Sequence, residues 1–251
     1  DYHLQPLSKK VKSYIKDTND FLCKLRDLPP LPDNSLLCTI DVVGLYPSIP
    51  HDEGLQALKR ALDEREDKSI STESLIELAQ LVLKNNYFEH GSKIFRQNKG
   101  TAIGTKFAPP YAILFMAAFE EDALRKYHLQ PWLWWRYIDD IFLIWEHGRE
   151  ELENFINYLN SISDSIKFTS KISSTSIEFL DVNVTIQGGG LSTDLFVKET
   201  DTHQLLHYTS CHPFHTKKGI PYSQALRFRR ICSTEEQFDA RCSELRDWLS
   251  K

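Results

Sequence analysis

At 251 residues, with 41% hydrophobic and 26% charged residues, the chain has the composition of a globular protein that can bury a core. Its formal net charge of −5 argues against a uniformly basic nucleic-acid-binding surface. The apolar runs are shorter than the roughly 18 to 20 residues of a membrane span and the first residues lack a signal-peptide pattern, so we expect an intracellular protein without a membrane partner.

The first third of the chain indicates a helix, a strand and two further helices. Apolar residues recur every three or four positions over residues 7–28, which predicts an amphipathic helix that ends before Pro29. Residues 35–41 (SLLCTID) are short and apolar, which predicts a buried strand ending at Asp41, where GLYPSIP turns the chain. Helical patterns follow over residues 51–66 and 71–84.

The middle of the chain predicts a hairpin that carries two acids. Two β-rich runs, residues 132–137 and 141–145, flank Asp139 and Asp140 and place both carboxylates at a turn. Before them come β structure over 86–97 with a turn at Gly91, a glycine and proline loop over 98–110, and an apolar helix over 111–125. After them come a helix over 149–162, strands over 166–172, 176–186 and 191–197, and a helical tail from residue 220 with Pro221 near its first turn.

The order of these elements predicts an α+β fold. A strand that bears an acid is followed by helices, then by a hairpin with acids at its tip, a helix and another strand. This order suits a split βαβ arrangement, in which a ferredoxin-like antiparallel sheet carries helices on one face.

Three carboxylates, on Asp41, Asp139 and Asp140, are the candidate catalytic groups. Nucleotidyl transfer uses two Mg²⁺ ions that carboxylates bridge, and Mg²⁺ prefers hard oxygen ligands. Adjacent acids are also common in turns, so Asp139 and Asp140 by themselves are better explained as plain turn residues at a hairpin tip.

Four motifs in the chain identify a family. LLCTIDVVGLYPSIP, NKGTAIGTKFAPPYAILFM, WRYIDDIFLIW and IEFLDVNV follow one another in this order. With them the chain resembles the reverse transcriptases, most closely those of Penelope-like retroelements, over essentially its whole length. The resemblance implies an RNA-directed DNA polymerase that adds deoxynucleotides to a DNA primer on an RNA template, with two Mg²⁺ ions or Mn²⁺ as a substitute, in the nucleus.

The resemblance also implies a polymerase right-hand architecture. Residues 1–34 would form part of the fingers with an N-terminal helix. Residues 35–200 would form the palm, with inserted fingers helices near 52–97. Residues 201–251 would follow the primer grip and begin the thumb.

Individual roles carry over at the positions that match the family motifs. The resemblance makes Asp41, Asp139 and Asp140 catalytic, with the same three carboxylates and the carbonyl of Val42 as metal ligands. It makes Tyr46 the steric gate against a ribose 2′-hydroxyl, although a core aromatic beside Pro47 is the alternative. It places Gly100, Thr101, Gly104 and Thr105 against the incoming nucleotide, whereas an ordinary helix-entry loop has the same composition. Ile103 replaces the polar residue that many reverse transcriptases have there, which puts one nucleotide contact in doubt.

Basic residues of the second half are candidates for two further roles. Lys167 or Lys171 would be the general acid that protonates pyrophosphate, and solvated strand lysines are the alternative. The stretch KKGIPYSQALRFRR interleaves bases with aromatics and suits nucleic-acid binding through Lys217, Lys218, Arg227, Arg229 and Arg230, or else forms a solvated helix face. His203, His207, Cys211, His212 and His215 match none of the usual zinc spacings, and the five cysteines of the chain lack a CxxC.

The resemblance also bears on what this sequence can do alone. Family members carry an earlier fingers region that clamps the triphosphate, so we expect the isolated chain to be inactive as a fragment. The alternative function is a repurposed reverse transcriptase fold that binds nucleic acid or protein without catalysis. The retained acids argue against this alternative, because carboxylates that repel one another need a chemical reason to stay together.

Overall fold

A computed structural model describes residues 1–249 of the chain as an α+β fold with antiparallel sheets. The helices are α1 (Gln5–Ser8), α2 (Thr18–Arg26), α3 (Leu45–Ser48), α4 (His51–Asp63), α5 (Thr72–Lys84), α6 (Ala108–Lys126), α7 (Arg149–Ser161), α8 (Phe214–Ile231) and α9 (Glu235–Leu249). The strands are β1 (Leu36–Val42), β2 (Tyr87–His90), β3 (Lys93–Arg96), β4 (Leu133–Tyr137), β5 (Asp140–Trp145), β6 (Phe168–Ser173), β7 (Ser176–Phe179), β8 (Val182–Gln187) and β9 (Gly190–Leu195).

The chain divides into two compact units. The first contains Asp1–Ile15 and Cys38–Lys171, and the second contains Lys16–Leu37 and the described residues from Ile172 onward. The chain passes from one unit to the other three times, between Ile15 and Lys16 and within strands β1 and β6.

A four-stranded sheet in the order β4-β5-β1-β6 organises the first unit. Its middle strands are apolar because they are covered on both faces, and residues 141–145 of β5 are fully buried. Helix α6 contributes a run of buried side chains from Tyr111 to Met116. The sheet therefore holds the end of β1 and the turn between β4 and β5 on a rigid base.

A second hairpin in the first unit, β2–β3, is exposed along its whole length. Gly91 and Ser92 form its turn with positive φ angles of 56° and 61°, and all eight strand residues are exposed. Phe88 and Phe95 stand opposite each other in the register and stack with ring centroids 5.6 Å apart. Large aromatic side chains are thus presented to solvent on a two-stranded ribbon, a structure of marginal stability by itself.

The second unit packs helices on a three-stranded antiparallel sheet in the order β7-β8-β9. Phe21 of α2 contacts Phe179 of β7, with ring centroids 4.7 Å apart. Asp17 caps α2 by accepting a hydrogen bond from the Asp20 amide. Helices α8 and α9 follow the sheet and are joined by a short turn at residues 232–234.

One ion pair fastens α9 to β9 within this unit. Arg241 donates to both carboxylate oxygens of Asp194, at 3.1 and 2.7 Å, and the Asp194 side chain is 22% exposed. Burial acts to raise the pKa of Asp194, but hydrogen bonds from Arg241 and from the Leu195 amide, with the Arg241 charge, keep this pKa below its ordinary value. The ionised form of Asp194 is therefore stabilised by folding.

We expect Asp194→Asn to lower the free energy of unfolding at pH 7 by about 1.5 to 3 kcal/mol, the usual contribution of a charge-assisted hydrogen bond. Because the pKa of Asp194 is lower in the folded state, its contribution is complete above the unfolded-state pKa and is lost as the pH falls through the folded-state pKa. Urea denaturation at pH 7 and at pH values below the ordinary aspartate pKa of 3.8 should show the difference from the wild type shrinking in acid. Asp247→Asn, on the exposed side of α9, is the control, and a difference that stays constant with pH would contradict the assignment.

Three sequence predictions about local structure are wrong. The helix expected over residues 7–28 is interrupted, because Arg136 and the 13–15 segment exchange backbone hydrogen bonds and Asp17 begins a new helix. The strand expected over residues 176–186 is two strands that turn at Leu180, whose φ is 55°. The helix expected from residue 220 begins at Phe214, so Pro221 lies inside it.

The predicted strand over residues 35–41, both helices after it and both arms of the acid-tipped hairpin are confirmed within a few residues. Ser71 caps α5 by accepting a hydrogen bond from the Ser74 amide, as its position before the apolar pattern predicts. Within residues 1–249, no helix is both long enough and apolar enough to cross a membrane.

Candidate active site

The end of β1 lies against the tip of the β4–β5 hairpin. The Val42 amide donates a hydrogen bond of 3.1 Å to the carbonyl of Asp139, and the next amide, that of Val43, donates one of 2.8 Å to the carbonyl of Lys167. Asp41 therefore sits one residue from a direct backbone link to Asp139, although nearly a hundred positions separate the two in sequence. The structure brings these two predicted residues together.

The hairpin tip has an unusual backbone. Tyr137 and Asp140 are paired in the register, which leaves a two-residue turn formed by Ile138 and Asp139. Ile138 has a φ of 55°, a conformation that a β-branched side chain rarely adopts and that typically costs about 1 to 3 kcal/mol. Such strain persists only where surrounding contacts enforce it, and it is frequent at functional sites.

The side chains at this point are electrostatically coupled. Burial raises the pKa of the Asp139 carboxyl, and the nearby charge of Asp41 raises it further, while a hydrogen bond from its own amide and the charge of Arg136 act in the opposite direction. The pKa of Tyr46 is raised by burial and then by the charge of Asp139. Asp41, Tyr46 and Asp139 thus share one electrostatic environment.

Asp41 and Asp139 fit a divalent cation that prefers oxygen ligands. Their mutual repulsion would be offset by a cation between them, and Mg²⁺ commonly takes one or two protein carboxylates and completes its shell with phosphate and water. Asp140, the next residue after Asp139, begins β5 and is half-buried. Among residues 1–249, however, no group of three or more His, Cys, Asp or Glu side chains is arranged to hold a metal ion.

The glycine loop before α6 is attached to the segment that contains Tyr46. The Thr101 amide donates to the carbonyl of Tyr46 at 2.8 Å, and the Gly100 amide donates to that of Ile49 at 2.9 Å. Gly100 has a φ of 75°, and a Cβ at this position would lie 2.5 Å from the Pro47 Cα. Only glycine fits here without displacing backbone.

The other half of the loop is open. Gly104 has a φ of 94° with no atom within 4 Å of the place where a Cβ would stand, and Ile103 is 79% exposed. Thr105 turns its hydroxyl to the Ala102 carbonyl, at 3.1 Å. The loop thus has an anchored half, at residues 100–101, and an exposed half, at 103–104.

A buried ion pair behind the hairpin was not identified from the sequence. Arg136 is 1% exposed and Glu120 is 5% exposed, and the Arg136 Nε donates to Glu120 at 2.6 Å. An arginine and a glutamate 16 residues apart, on a strand and a helix, give no local pattern. The one signal available was Arg136 inside the otherwise apolar strand LWWRY, since isolated charges are rarely buried without a partner.

The two candidate lysines have different surroundings. The Lys167 ammonium donates to the carbonyls of Asn160 and Ser163, each at 2.8 Å, and so caps the C-terminal end of α7. Lys171 lies further along β6 and is exposed. Lys167 therefore already has a structural role.

Several of the predicted nucleic-acid-binding cations contact acids or carbonyls of the second unit. Arg227 pairs with Asp181 at 2.7 Å and Arg229 with Glu235 at 2.6 Å. The Lys217 ammonium donates to the Tyr208 carbonyl at 2.7 Å, while Lys218 and the side chain of Arg230 are exposed. These bonds lie on the surface, where nucleic acid can compete for the cations.

The histidine-rich segment makes local contacts. His203 stacks on Trp248 with ring centroids 4.0 Å apart, His207 contacts the Thr209 hydroxyl and His212 contacts the Ser210 hydroxyl.

The C-terminal helix pair was only partly identified from the sequence. Thr234 and Gln237 form reciprocal side-chain to backbone hydrogen bonds at the start of α9, the arrangement of a capping box. The pattern T-x-x-Q at residues 234–237 was the signal for this helix start, and it separates α8 from α9.

Comparisons with protein families match two parts of the chain. The model described as "Reverse transcriptase (RNA-dependent DNA polymerase)" matches residues 3–188. The model described as "Animal helix-turn-helix domain" matches residues 204–251, the part of the chain that contains α8 and α9. A search of curated proteins finds no match.

Solved polymerases share this fold at low sequence identity. The telomerase of Candida albicans in complex with a TWJ fragment of telomeric RNA aligns over 99% of this chain and 44% of its own, with a TM-score of 0.69 and 13% identity. The corresponding Candida tropicalis complex covers the same shares with a TM-score of 0.59 and 13% identity. The RNA-dependent RNA polymerase of a human picobirnavirus aligns over 77% of this chain and 39% of its own, with a TM-score of 0.56 and 11% identity. The chain thus spans less than half the length of these structures.

Proposed function

The chain belongs to the reverse transcriptase family, whose model matches residues 3–188, and on this premise we propose that it is the palm-centred core of an RNA-directed DNA polymerase. The reaction is the transfer of a deoxynucleotide to a primer 3′-hydroxyl with release of pyrophosphate. The observation that carries the proposal is the hydrogen bond from the Val42 amide to the Asp139 carbonyl. This bond joins strand β1, which carries Asp41, to the β4–β5 hairpin, which carries Asp139 and Asp140. Both segments match catalytic motifs of the family.

The catalytic residues in this proposal are Asp41, Asp139 and Asp140. Their carboxylates and the Val42 carbonyl would hold two Mg²⁺ ions, with Mn²⁺ as a substitute. When bound, these ions lower the pKa of the attacking hydroxyl and stabilise charge on the reacting phosphates. The chain itself would hold the oxygen ligands at the end of β1 and on the Ile138–Asp139 turn, whose backbone conformation is enforced by the surrounding contacts.

The nucleotide would lie between the hairpin tip and the glycine loop. Thr101 is tied to the Tyr46 carbonyl, so the loop and the gate residue form one structural piece. The anchored half of the loop, Gly100 and Thr101, would fix its position, and Gly104 and Thr105 would face the nucleotide. Tyr46, half-buried near Asp139, would exclude a ribose 2′-hydroxyl and select dNTPs.

RNA template and DNA primer are the proposed macromolecular partners. Residues 84–106, which include the β2–β3 hairpin, hold five lysines and arginines against one acid, a net charge of +4 with His90 neutral, on a chain of net charge −5. The exposed stacked pair of Phe88 and Phe95 in this segment suits stacking with bases. In the second unit, the same role falls to Lys217, Lys218, Arg227, Arg229 and Arg230.

Lys167 or Lys171 would be the acid that protonates pyrophosphate; Lys167 would have to release the two carbonyls that it bonds at the end of α7. The assignment to the Penelope-like type of retroelement, and with it the nucleus as the place of action, is supported by the YIDD and GTAIGTKFAP motifs.

A second candidate function is binding of nucleic acid without catalysis. One observation favours it: the C-terminal segment, residues 204–251, matches a helix-turn-helix family. Primer extension separates the two functions. The chain, extended at its N-terminus to supply the fingers, should add dNTPs to a primed RNA template with Mg²⁺; retention of template without any extension would favour the second function.

We expect Tyr46→Ala to raise the incorporation of ribonucleotides relative to deoxynucleotides by about 10- to 100-fold, the discrimination that a steric contact of about 1 to 3 kcal/mol provides. Tyr46→Phe keeps the ring and should discriminate like the wild type. Single-nucleotide extension with matched dNTP and NTP measures the ratio. Equal ratios in wild type and Tyr46→Ala would assign Tyr46 to the core.

A further inference from the structure

The guanidinium of Arg136 connects the buried interior of the first unit to the hairpin tip. Its Nη1 donates to the Ile138 carbonyl at 3.0 Å, and its Nη2 donates to the Ile113 carbonyl at 3.1 Å. Nε and Nη2 also donate to the two oxygens of Glu120, at 2.6 and 3.2 Å. One rigid, fully buried group thus spans helix α6 and the turn that contains Asp139.

The partner carboxylate is itself held in place by neighbouring donors. Glu120 accepts hydrogen bonds from the Ser13 hydroxyl at 2.7 Å and from the Trp134 indole at 2.9 Å. The Arg136 backbone is fixed as well, because its amide donates to the Ser13 carbonyl and its carbonyl accepts from the Ile15 amide. The geometry of Arg136 is therefore determined from several directions.

The turn needs such a restraint. Ile138 adopts a positive φ that its branched side chain disfavours, and the bond from Arg136 falls on the carbonyl of this residue. An arginine can bond a carboxylate and a carbonyl together because its donors form a planar fork, which lysine lacks.

We propose that Arg136, held by Glu120, is the positioning residue of the candidate active site, and that its bond to the Ile138 carbonyl fixes the turn that presents Asp139 to Asp41. The proposal rests on the proposed function only in treating Asp139 as a site residue. Arg136 itself is buried and touches no substrate.

Amide hydrogen exchange tests this without any enzymatic activity. The Val42 amide is bonded to the Asp139 carbonyl and reports on the turn, whereas the adjacent Val43 amide is bonded to the Lys167 carbonyl and reports on the other side of the strand. Loss of the bond from Arg136 should make exchange at Val42 about tenfold faster, the effect of one hydrogen bond, and leave Val43 unchanged.

Two variants keep the test independent of a folding defect. Arg136→Met combined with Glu120→Gln removes both buried charges and leaves an amide oxygen to accept from Ser13 or Trp134. Arg136→Lys keeps the charge beside Glu120 but gives up the fork.

Faster exchange at Val42 alone, in either variant, supports the proposal. Equal acceleration at Val42 and Val43 would show a general structural role for Arg136, and unchanged exchange at Val42 would show that the turn needs no support from it; both results overturn the proposal. Primer extension is a separate measurement: if the wild-type chain, extended at its N-terminus, fails to extend primers while the variants still show faster exchange at Val42, the proposed function is contradicted and this inference is not.

Discussion

Replacing Asp139 with alanine is expected to reduce deoxynucleotide incorporation by about a thousandfold or more. A metal ion that stabilises charge at the reacting phosphate contributes several kcal/mol to the transition state, and each 1.36 kcal/mol corresponds to about a tenfold change in rate. Asp139→Ala removes a carboxylate that the structure couples to Asp41, so both metal affinity and catalysis should fall. Single-turnover primer extension with Mg²⁺, by the chain extended at its N-terminus, measures the effect.

The control for this prediction is another acid of the same unit. Asp164 is exposed, and Asp164→Ala should extend primers at the wild-type rate. Circular dichroism and thermal unfolding of both variants exclude a folding defect as the cause. Extension by Asp139→Ala within tenfold of the wild type would remove Asp139 from the catalytic residues.

Gly100→Ala is expected to lower incorporation by about a hundredfold, because displacements near 1 Å in a site can have effects of this size. The added Cβ would lie 2.5 Å from the Pro47 Cα and close to the Tyr46 carbonyl, so the loop and the gate segment must move apart. Overpacking of this kind also typically destabilises by about 1 to 3 kcal/mol. Extension rates and unfolding free energies measure the two effects separately.

Gly148→Ala is the matched control for Gly100→Ala, since Gly148 lies just before α7 and outside the proposed nucleotide site. Both glycines have positive φ angles, 75° and 84°, but the Cβ of an alanine at 148 would meet open space. The control variant therefore has the backbone strain of a positive φ angle but not the collision of the new Cβ with the Tyr46–Pro47 backbone. If both variants lose the same activity, the collision with the Tyr46 segment is not the cause, and the anchored half of the loop has no special role.

Much of the hairpin and its acids could be predicted from sequence because the information is local. Two β-rich runs flank Asp139 and Asp140, and the register pairs Tyr137 with Asp140 at the turn. The strand before Asp41 was equally clear, because four of its residues are fully buried or nearly so and form an apolar run that only Thr39 interrupts. The α+β class followed from the order of these elements.

The N-terminal helix was mispredicted because a long-range contact overrides a local pattern. Residues 7–28 have helical spacing, yet Ile15 donates to the Arg136 carbonyl and Arg136 donates to Ser13, which uses the backbone groups that a helix needs. Pairing with a strand more than a hundred residues away leaves no local signal. Asp17 was the available sign of a new helix start, since aspartate is a preferred N-cap residue, and its side chain accepts a hydrogen bond from the Asp20 amide.

The site itself depended on knowledge beyond the local pattern. Neither Asp41 nor Tyr46 carries a local sign of closeness to Asp139, and only the family motifs suggested it. The Arg136–Glu120 pair was missed for the same physical reason, because a buried ion pair is specified by packing in three dimensions.

A double-mutant cycle of Mn²⁺ binding tests most directly whether Asp41 and Asp139 hold the same cation. Mn²⁺ affinity would be measured by electron paramagnetic resonance, with dNTP present, for the wild type, Asp41→Asn, Asp139→Asn and the double variant. We predict that each single variant binds Mn²⁺ at least about tenfold more weakly and that the double variant is little weaker than either, because both changes remove one shared site. Losses that simply add, or affinities equal to the wild type, would contradict a joint metal site and with it the polymerase assignment.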